Sequence, residues 1–412
     1  FNGHDSVLTI ADHPALHPGS DDFAAAAWVY STAGADVVGQ IVDKFDPATR
    51  RGWQAAIHSA TGMVSTAQAH RRHLHFGMDA DWRESTWRDE GRPGNASKIC
   101  SMATVQGQLY AGTFELDTAG SGRVWRQRGP HDWEDLGNPQ GCNAIFSLCE
   151  YQGALYMGTG RYKAMGSALP GTENLRPGGR VYRREADGRW QDCGQPGGRD
   201  AVPESTPTTG YATGKADVAA GLTVFKEKLY AFCSYRTGVY RYEGDQEWTP
   251  VGLPNLRLMS LHVYRDHLLA LINGGDVYRL ADSGEWENLG RPGTSTQTYG
   301  ALTYGGELFT GNWPNAEVCR YLGGQQWENR GRLGYEMEIM GGLLHNGLPY
   351  WGSLPSAHVW RQDPRGFTVV GSLDSAPVPL RRTWCLATYQ GRLHAGTLPG
   401  GRVWSLGTGR LA

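Results

Sequence analysis

Apolar and polar positions in this chain fall into short alternating runs separated by turn residues, and one arrangement of those runs recurs through most of it. An apolar segment leads to a polar turn, then Leu-Tyr-small, then a loop. Val-aromatic-Arg and a Gly turn follow, and the copy ends in Trp-x-x-x-Gly. The clearest copy runs from Ile145 to Gly194, as "IFSLCEYQG", "ALYMGTG", "GGRVYRRE" and "GRWQDCG". Period-two alternation over about four to eight residues, bounded by Gly, Asn, Asp or Pro, predicts strands. Each copy therefore predicts four short antiparallel strands.

The ends of the copies set the count. The fourth element stands at Trp133 to Gly137, Trp190 to Gly194, Trp248 to Gly252, Trp286 to Gly290 and Trp327 to Gly331, with Phe367 to Gly371 in the next copy. The third element appears at 123, 180, 238, 276, 317, 358 and 402, one more time than the fourth. The missing fourth strand is upstream: "TWRDEGRPG" from Thr86 matches "EWENLGRPG" from Glu285. It predicts an N-terminal strand completing the last copy, whose first three strands lie in residues 382 to 405. Closing a ring in this way removes open sheet edges. Units of about 40 residues with four strands each are the signature of a propeller. The expected fold is all-β, with a seven-bladed β-propeller over residues 81–412. The repeated Trp is expected to pack between neighbouring blades. The repeated Arg is expected on an outer strand, its stem covering apolar surface.

Residues 1–80 do not follow the repeat. The segments from Ser6, Phe23 and Gln40 alternate or are β-rich and predict strands of a partial jelly-roll sandwich. Phe1-Asn2-Gly3, the Ala27-Trp28-Val29-Tyr30 segment, and Ile41 to Phe45 followed by Arg51-Gly52-Trp53 carry the likeness. The segment resembles the first half of a laminin-G-like, concanavalin-type jelly roll. That family continues with a Trp-x-His strand and a Tyr-Val-Asp-Gly hairpin, and neither occurs between Phe76 and Thr86 or after Leu406. Half a sandwich leaves one apolar sheet face uncovered, at roughly 25 cal/mol per Å². The expectation is a host domain whose second half comes from elsewhere, such as a partner chain. The propeller repeat, in its Gly, Tyr and Trp usage, resembles kelch and galactose-oxidase-like propellers. It lacks the double glycine and paired Tyr/Trp spacing of a standard kelch unit.

Composition narrows function little. A formal net charge of −2 gives no field that selects nucleic acid or membrane. No apolar run is long enough to span a bilayer. Seven cysteines without a CxxC or Cys/His spacing point to no zinc site, and the odd count leaves at least one outside any internal pairing. Small core hydrophobe is their plainest role. An extracellular or cell-surface setting is expected, although the odd cysteine count fits the cytoplasm as well.

Chemistry is expected at the propeller mouth, where the loops between second and third strands meet the links into each next blade. These supply ligand-binding candidates Lys98, Arg161, Tyr162, Lys163, Tyr211, Tyr235, Arg236, Arg257, Tyr299, Asn312, Trp313, Arg382 and Trp384. Two long loops, from Arg161 to Gly179 and from Pro196 to Asp217, should rise over the same face, as long loops in compact repeats often serve function. Aromatics stack on sugar rings, and Arg forks hold carboxylate or sulfate. A polar or anionic polysaccharide is the expected ligand; the competing reading has Arg257, Arg381 and Arg382 merely pairing with Glu336 and Glu338.

Catalytic signals are sparse. No GxSxG, HExxH, P-loop or GxGxxG in a βα context occurs. Candidates are Tyr162, Tyr235, Arg236, Glu336, Glu338 and His358. Glu336 and Glu338, two apart, should point the same way on a strand and could serve a glycosidase. Arg with a Tyr or His base suits a polysaccharide lyase, the preferred enzymatic alternative. No metal or cofactor site is identified, a structural calcium ion is left open, and "GGDVYRLADSGE", which resembles a calcium loop in composition, reads as a strand between two turns. A glycan-binding protein is the leading reading, with a lyase or hydrolase second and an assembly propeller third.

Overall fold

The computed structural model of the chain describes residues 6–17, 19, 22–30, 39–61, 68–80, 86–116, 121–162, 169, 174, 176–197, 219–233 and 238–407. The described fold is all-β, with a single short 3-10 turn at Pro14–Leu16. An N-terminal three-stranded antiparallel sheet comprises β1 (Gly39–Asp46), β2 (Arg51–Thr61) and β3 (Gln68–Ala80). Beyond it lie five four-stranded sheets and one eight-stranded sheet. The latter is two four-stranded units joined where Phe114 pairs with Ala144, so five and two give seven units. They are numbered 1 to 7 from Lys98 onward.

Unit 7 is assembled from both ends of the repeat region. Its first three strands are Arg382–Tyr389, Arg392–Leu398 and Val403–Leu406, and its fourth is β4 (Trp87–Gly91). Leu406 pairs with Trp87 and Val403 with Gly91. Ser405 donates to the buried Glu90 carboxylate at 2.6 Å, and Gln127 of unit 1 donates to the same group at 3.1 Å. The upstream match at Thr86 thus predicted a real pairing.

The first strands begin at Lys98, Ala144, Ala219, Leu258, Gln297, Glu338 and Arg382 in units 1 to 7. Each packs against the next, and that of unit 7 packs against that of unit 1. Side chains stitch several of these contacts. Ser101 donates to Ile145 O and Ser147 to Ala219 O, while across the closing contact the Cys385 thiol donates to Ile99 O at 3.4 Å. All seven cysteines are buried and none forms a disulfide.

The Trp-x-x-x-Gly motif has one geometric meaning around the molecule. The indole N–H of each fourth-strand Trp donates to the carbonyl just before the glycine of the preceding unit. Trp133 reaches Glu90, Trp190 Leu136, Trp248 Cys193, Trp286 Val251, Trp327 Leu289 and Trp87 Val370, at 2.7 to 3.1 Å. The glycine makes room: a Cβ on Gly371 would lie 2.2 Å from the Trp87 indole nitrogen. Phe367 takes the Trp position in unit 6 and has no N–H to give. The repeated Arg does sit on an outer strand, and it also pairs with acidic neighbours: Arg126 with Glu134, Arg279 with Glu287, Arg320 with Glu328 and Glu307.

The N-terminal sheet corrects part of the expectation. The segments from Ser6 and Phe23 form no strand among the described residues; only the one from Gln40 does. Val7, Leu8 and Ile10 are exposed, as are Trp28 and Tyr30, and the Ala-rich run 24–27 has little β propensity. Alternation without a pairing partner does not make a strand. In the sheet itself, Gln54, Ala56, His75 and Gly77 face the units. A Cβ on Gly77 would meet Asn346, and Phe45 packs with Leu343, Leu348 and Tyr350 of unit 6. The opposite face carries Trp53, Leu74, Phe76 and Met78, of which Leu74 is 74% and Phe76 51% exposed. Phe23 stacks on it, 5.0 Å from Trp53. β3 contacts the first strands of units 1, 2, 3 and 7, and β2 those of units 4 and 5. The β2–β3 hairpin therefore reaches first strands on several sides of the axis around which the units are arranged. It sits near the ends of the first strands, at Asn346, and not near their starts.

Candidate functional site at the starts of the first strands

Because every first strand runs in the same sense, the starts collect at one end of the axis, where the mouth was expected. Lys98, the first residue of its strand, is fully buried. Its Nζ lies 3.1 Å from the centroid of Trp384, 4.3 Å from Tyr162 and 4.9 Å from Phe146, and it has no hydrogen-bond partner among the described residues. Aromatic faces attract an ammonium but supply none of the acceptors it needs. Burial pushes the amine down to about 7, the nearby Cys100 and Cys385 thiols pull the other way, and Arg382 adds to the depression. Burial in turn pushes the Cys100 thiol up to about 12.

Glu338 opens the first strand of unit 6 and is buried, with Arg382 Nε 3.8 Å from its carboxylate. Burial raises its carboxyl above the usual range, against the pull of Arg382, Tyr299, Arg257 and Lys98. Burial and the Glu338 charge hold the Tyr299 phenol well above its usual value, so it stays protonated at neutral pH. Its hydroxyl donates to Gln297. Tyr162 is half-buried, clasped by the Asn143 side chain, which accepts its N–H at 2.7 Å and donates to its carbonyl at 2.9 Å. Its ring meets Phe114 and Phe146 edge-on at 5.3 and 5.2 Å.

The two carboxylates that spacing had paired have different partners. Glu336 precedes the strand that Glu338 opens. Glu336 accepts the Ser356 N–H at 3.2 Å and lies 3.2 Å from His358 Nδ1. Burial works to raise its carboxyl, but His358 and Ser356 outweigh it and hold it low. Of the anticipated arginine pairings, Arg382 with Glu338 is present, whereas Arg381 donates to Asp374 O. Asn312 is buried and locked to Glu317, donating to its carboxylate and accepting its N–H, both at 2.9 Å. Trp313 is half-buried and packs with Trp384 and Tyr299 in one apolar cluster, and Arg161 and Arg257 are half-buried. Lys163, Tyr211, Tyr235 and Arg236 lie outside the described residues, as does most of both long loops. Phe146 was not anticipated; its signal is its place on the first strand of unit 2, facing inward beside a lysine start. Among the described residues no cluster of His, Cys, Asp or Glu could hold a metal ion, and no helix is long and apolar enough to cross a membrane.

No protein-family model matches the chain, and no curated protein matches it. Solved structures do. A streptogramin B lyase aligns with a TM-score of 0.57 at 10% identity, over 80% of this chain and 99% of its own. The extracellular domain of a hybrid two-component system from B. thetaiotaomicron gives 0.54 at 15% identity, over 80% and 40%. YCF48 bound to a D1 peptide gives 0.53 at 10%, over 80% and 97%. At such identities the likeness speaks to fold alone, and the chain is propeller-like.

Proposed function

We propose that the seven units form a closed seven-bladed propeller and that its mouth binds an anionic glycan. The observation that carries the reading is the charge balance at the strand starts. The charges of Arg257 and Arg382 act on one buried carboxylate, Glu338, beside Lys98, the indole of Trp384 and the phenols of Tyr162 and Tyr299. Glu338 is itself pushed toward its neutral form, so a carboxylate or sulfate from solvent would supply the compensating charge. Binding is favoured over glycosidase chemistry because Glu336 and Glu338 have different partners. The test is a glycan array with the Arg382→Ala/Trp384→Ala double variant. Selective loss of uronate- or sulfate-bearing glycans is expected; an unchanged profile removes the mouth as the site. Release of unsaturated product from uronate polysaccharides, followed by absorbance, would favour the lyase instead.

The exposed apolar face of β2 and β3 favours a second reading, assembly. It is the face that an unmatched half of a laminin-G-like sandwich would leave, at a cost that covering strands would relieve. Sedimentation of the chain beside Leu74→Asp/Phe76→Asp tests self-assembly: association lost in the variant supports it, and identical monomers oppose it.

A further inference from the structure

We propose that Lys98 is a nucleophilic amine that captures a carboxylate-bearing aldehyde at the mouth as an imine; the preference for a carboxylate rests on the anion-binding reading above. The geometry is that of an activated lysine. The Nζ is fully buried, makes no hydrogen bond among the described residues and is walled by Trp384, Tyr162 and Phe146. Desolvation beside a second cation, here Arg382, keeps a lysine amine neutral and nucleophilic. The other titratable groups near it are the Cys100 and Cys385 thiols and the Glu338 carboxyl. The thiols are buried and held protonated, so the amine is the nucleophile of the cluster. Its near-neutral value agrees with this chemistry.

The step balances without an oxidant or reductant. The Nζ lone pair forms a bond to the carbonyl carbon, and the carbonyl oxygen takes a proton to give a carbinolamine. The oxygen's proton comes from nitrogen; the remaining nitrogen proton then passes to the hydroxyl, the C–O bond breaks as the nitrogen lone pair closes a C=N bond, and water leaves. Arg382, whose charge acts on Lys98, would hold the carboxylate, and the rings would shelter the imine from water. Entry needs the half-buried Tyr162 ring to turn away from Phe114 and Phe146.

The experiment treats the full chain with glyoxylate and cyanoborohydride at pH 7 and maps modified lysines by mass spectrometry. Exposed Lys226 serves as internal reference. A surface lysine is almost wholly protonated at that pH, so labelling of Lys98 about tenfold faster or more is expected. Labelling no faster than Lys226 overturns the proposal. Lys98→Arg must lose the label while Lys226 keeps it. Acetaldehyde run in parallel should label Lys98 more slowly than glyoxylate; equal rates overturn the carboxylate preference. The glycan array on Arg382→Ala/Trp384→Ala is a separate readout, so failure of the amine chemistry and failure of anion binding appear in different measurements.

Discussion

Lys98 shows how burying one ionisable residue costs stability. Its folded value lies near 7 against an ordinary value of 10.5. Between those pH values the unfolded chain holds a proton that the folded chain lacks, so stability rises with pH across that window and is penalised below it. Lys98→Met should therefore be more stable than the parent at pH 7, with the gain shrinking toward pH 10, as thermal melts at both pH values would show. Buried His262 and His394 act at lower pH. Burial pushes both down to about 4, so the unfolded chain gains protons below about 6.5 that the folded chain refuses. Stability should fall as pH drops from 6.5 to 4, and His262→Asn/His394→Asn should flatten that slope in urea titrations.

Legibility at this scale was uneven, for physical reasons. Lys98 and Arg382 were placed at strand starts because a start is a fixed place in a repeat. Glu336 and Glu338 were expected on one strand, whereas the strand begins only at Glu338, and element boundaries are what pattern locates least well. Asn312 looked like a ligand residue, but its side chain closes the turn toward Glu317.

At the scale of elements, the repeat was readable because each motif residue has the same job in each unit. The indole-to-carbonyl bond explains why Trp and Gly are spaced as they are, a link that spacing alone did not reveal. Trp327→Phe keeps the packing and removes only the bond to Leu289 O, so a loss of about 1 kcal/mol is expected by chemical denaturation. Phe367→Trp offers the missing donor to the carbonyl before Gly331. A gain of similar size, up to about 1 kcal/mol, is expected; a loss would show that unit 6 is set differently from its neighbours. The segments from Ser6 and Phe23 misled because alternation records what a residue would do if paired. The missing Trp-x-His strand and Tyr-Val-Asp-Gly hairpin had already signalled that partners were lacking.

At the scale of the molecule, β4 ties the start of the repeat region to its end. Without residues 1–91, unit 7 keeps three strands and presents the unpaired edge of Val403–Leu406, while Glu90 no longer bridges Ser405 and Gln127. Such an edge recruits other chains. The truncated chain should aggregate or associate where the full chain does not, as light scattering would report. The β2–β3 hairpin has a consequence for traffic. It touches first strands on several sides of the axis at the end remote from Lys98. A hairpin across that end would make the axis a blind alley and not a conduit. A guest bound at the Lys98 end would then arrive and depart by the same door, so anything lodged there would block the next arrival as surely as it delayed its own exit.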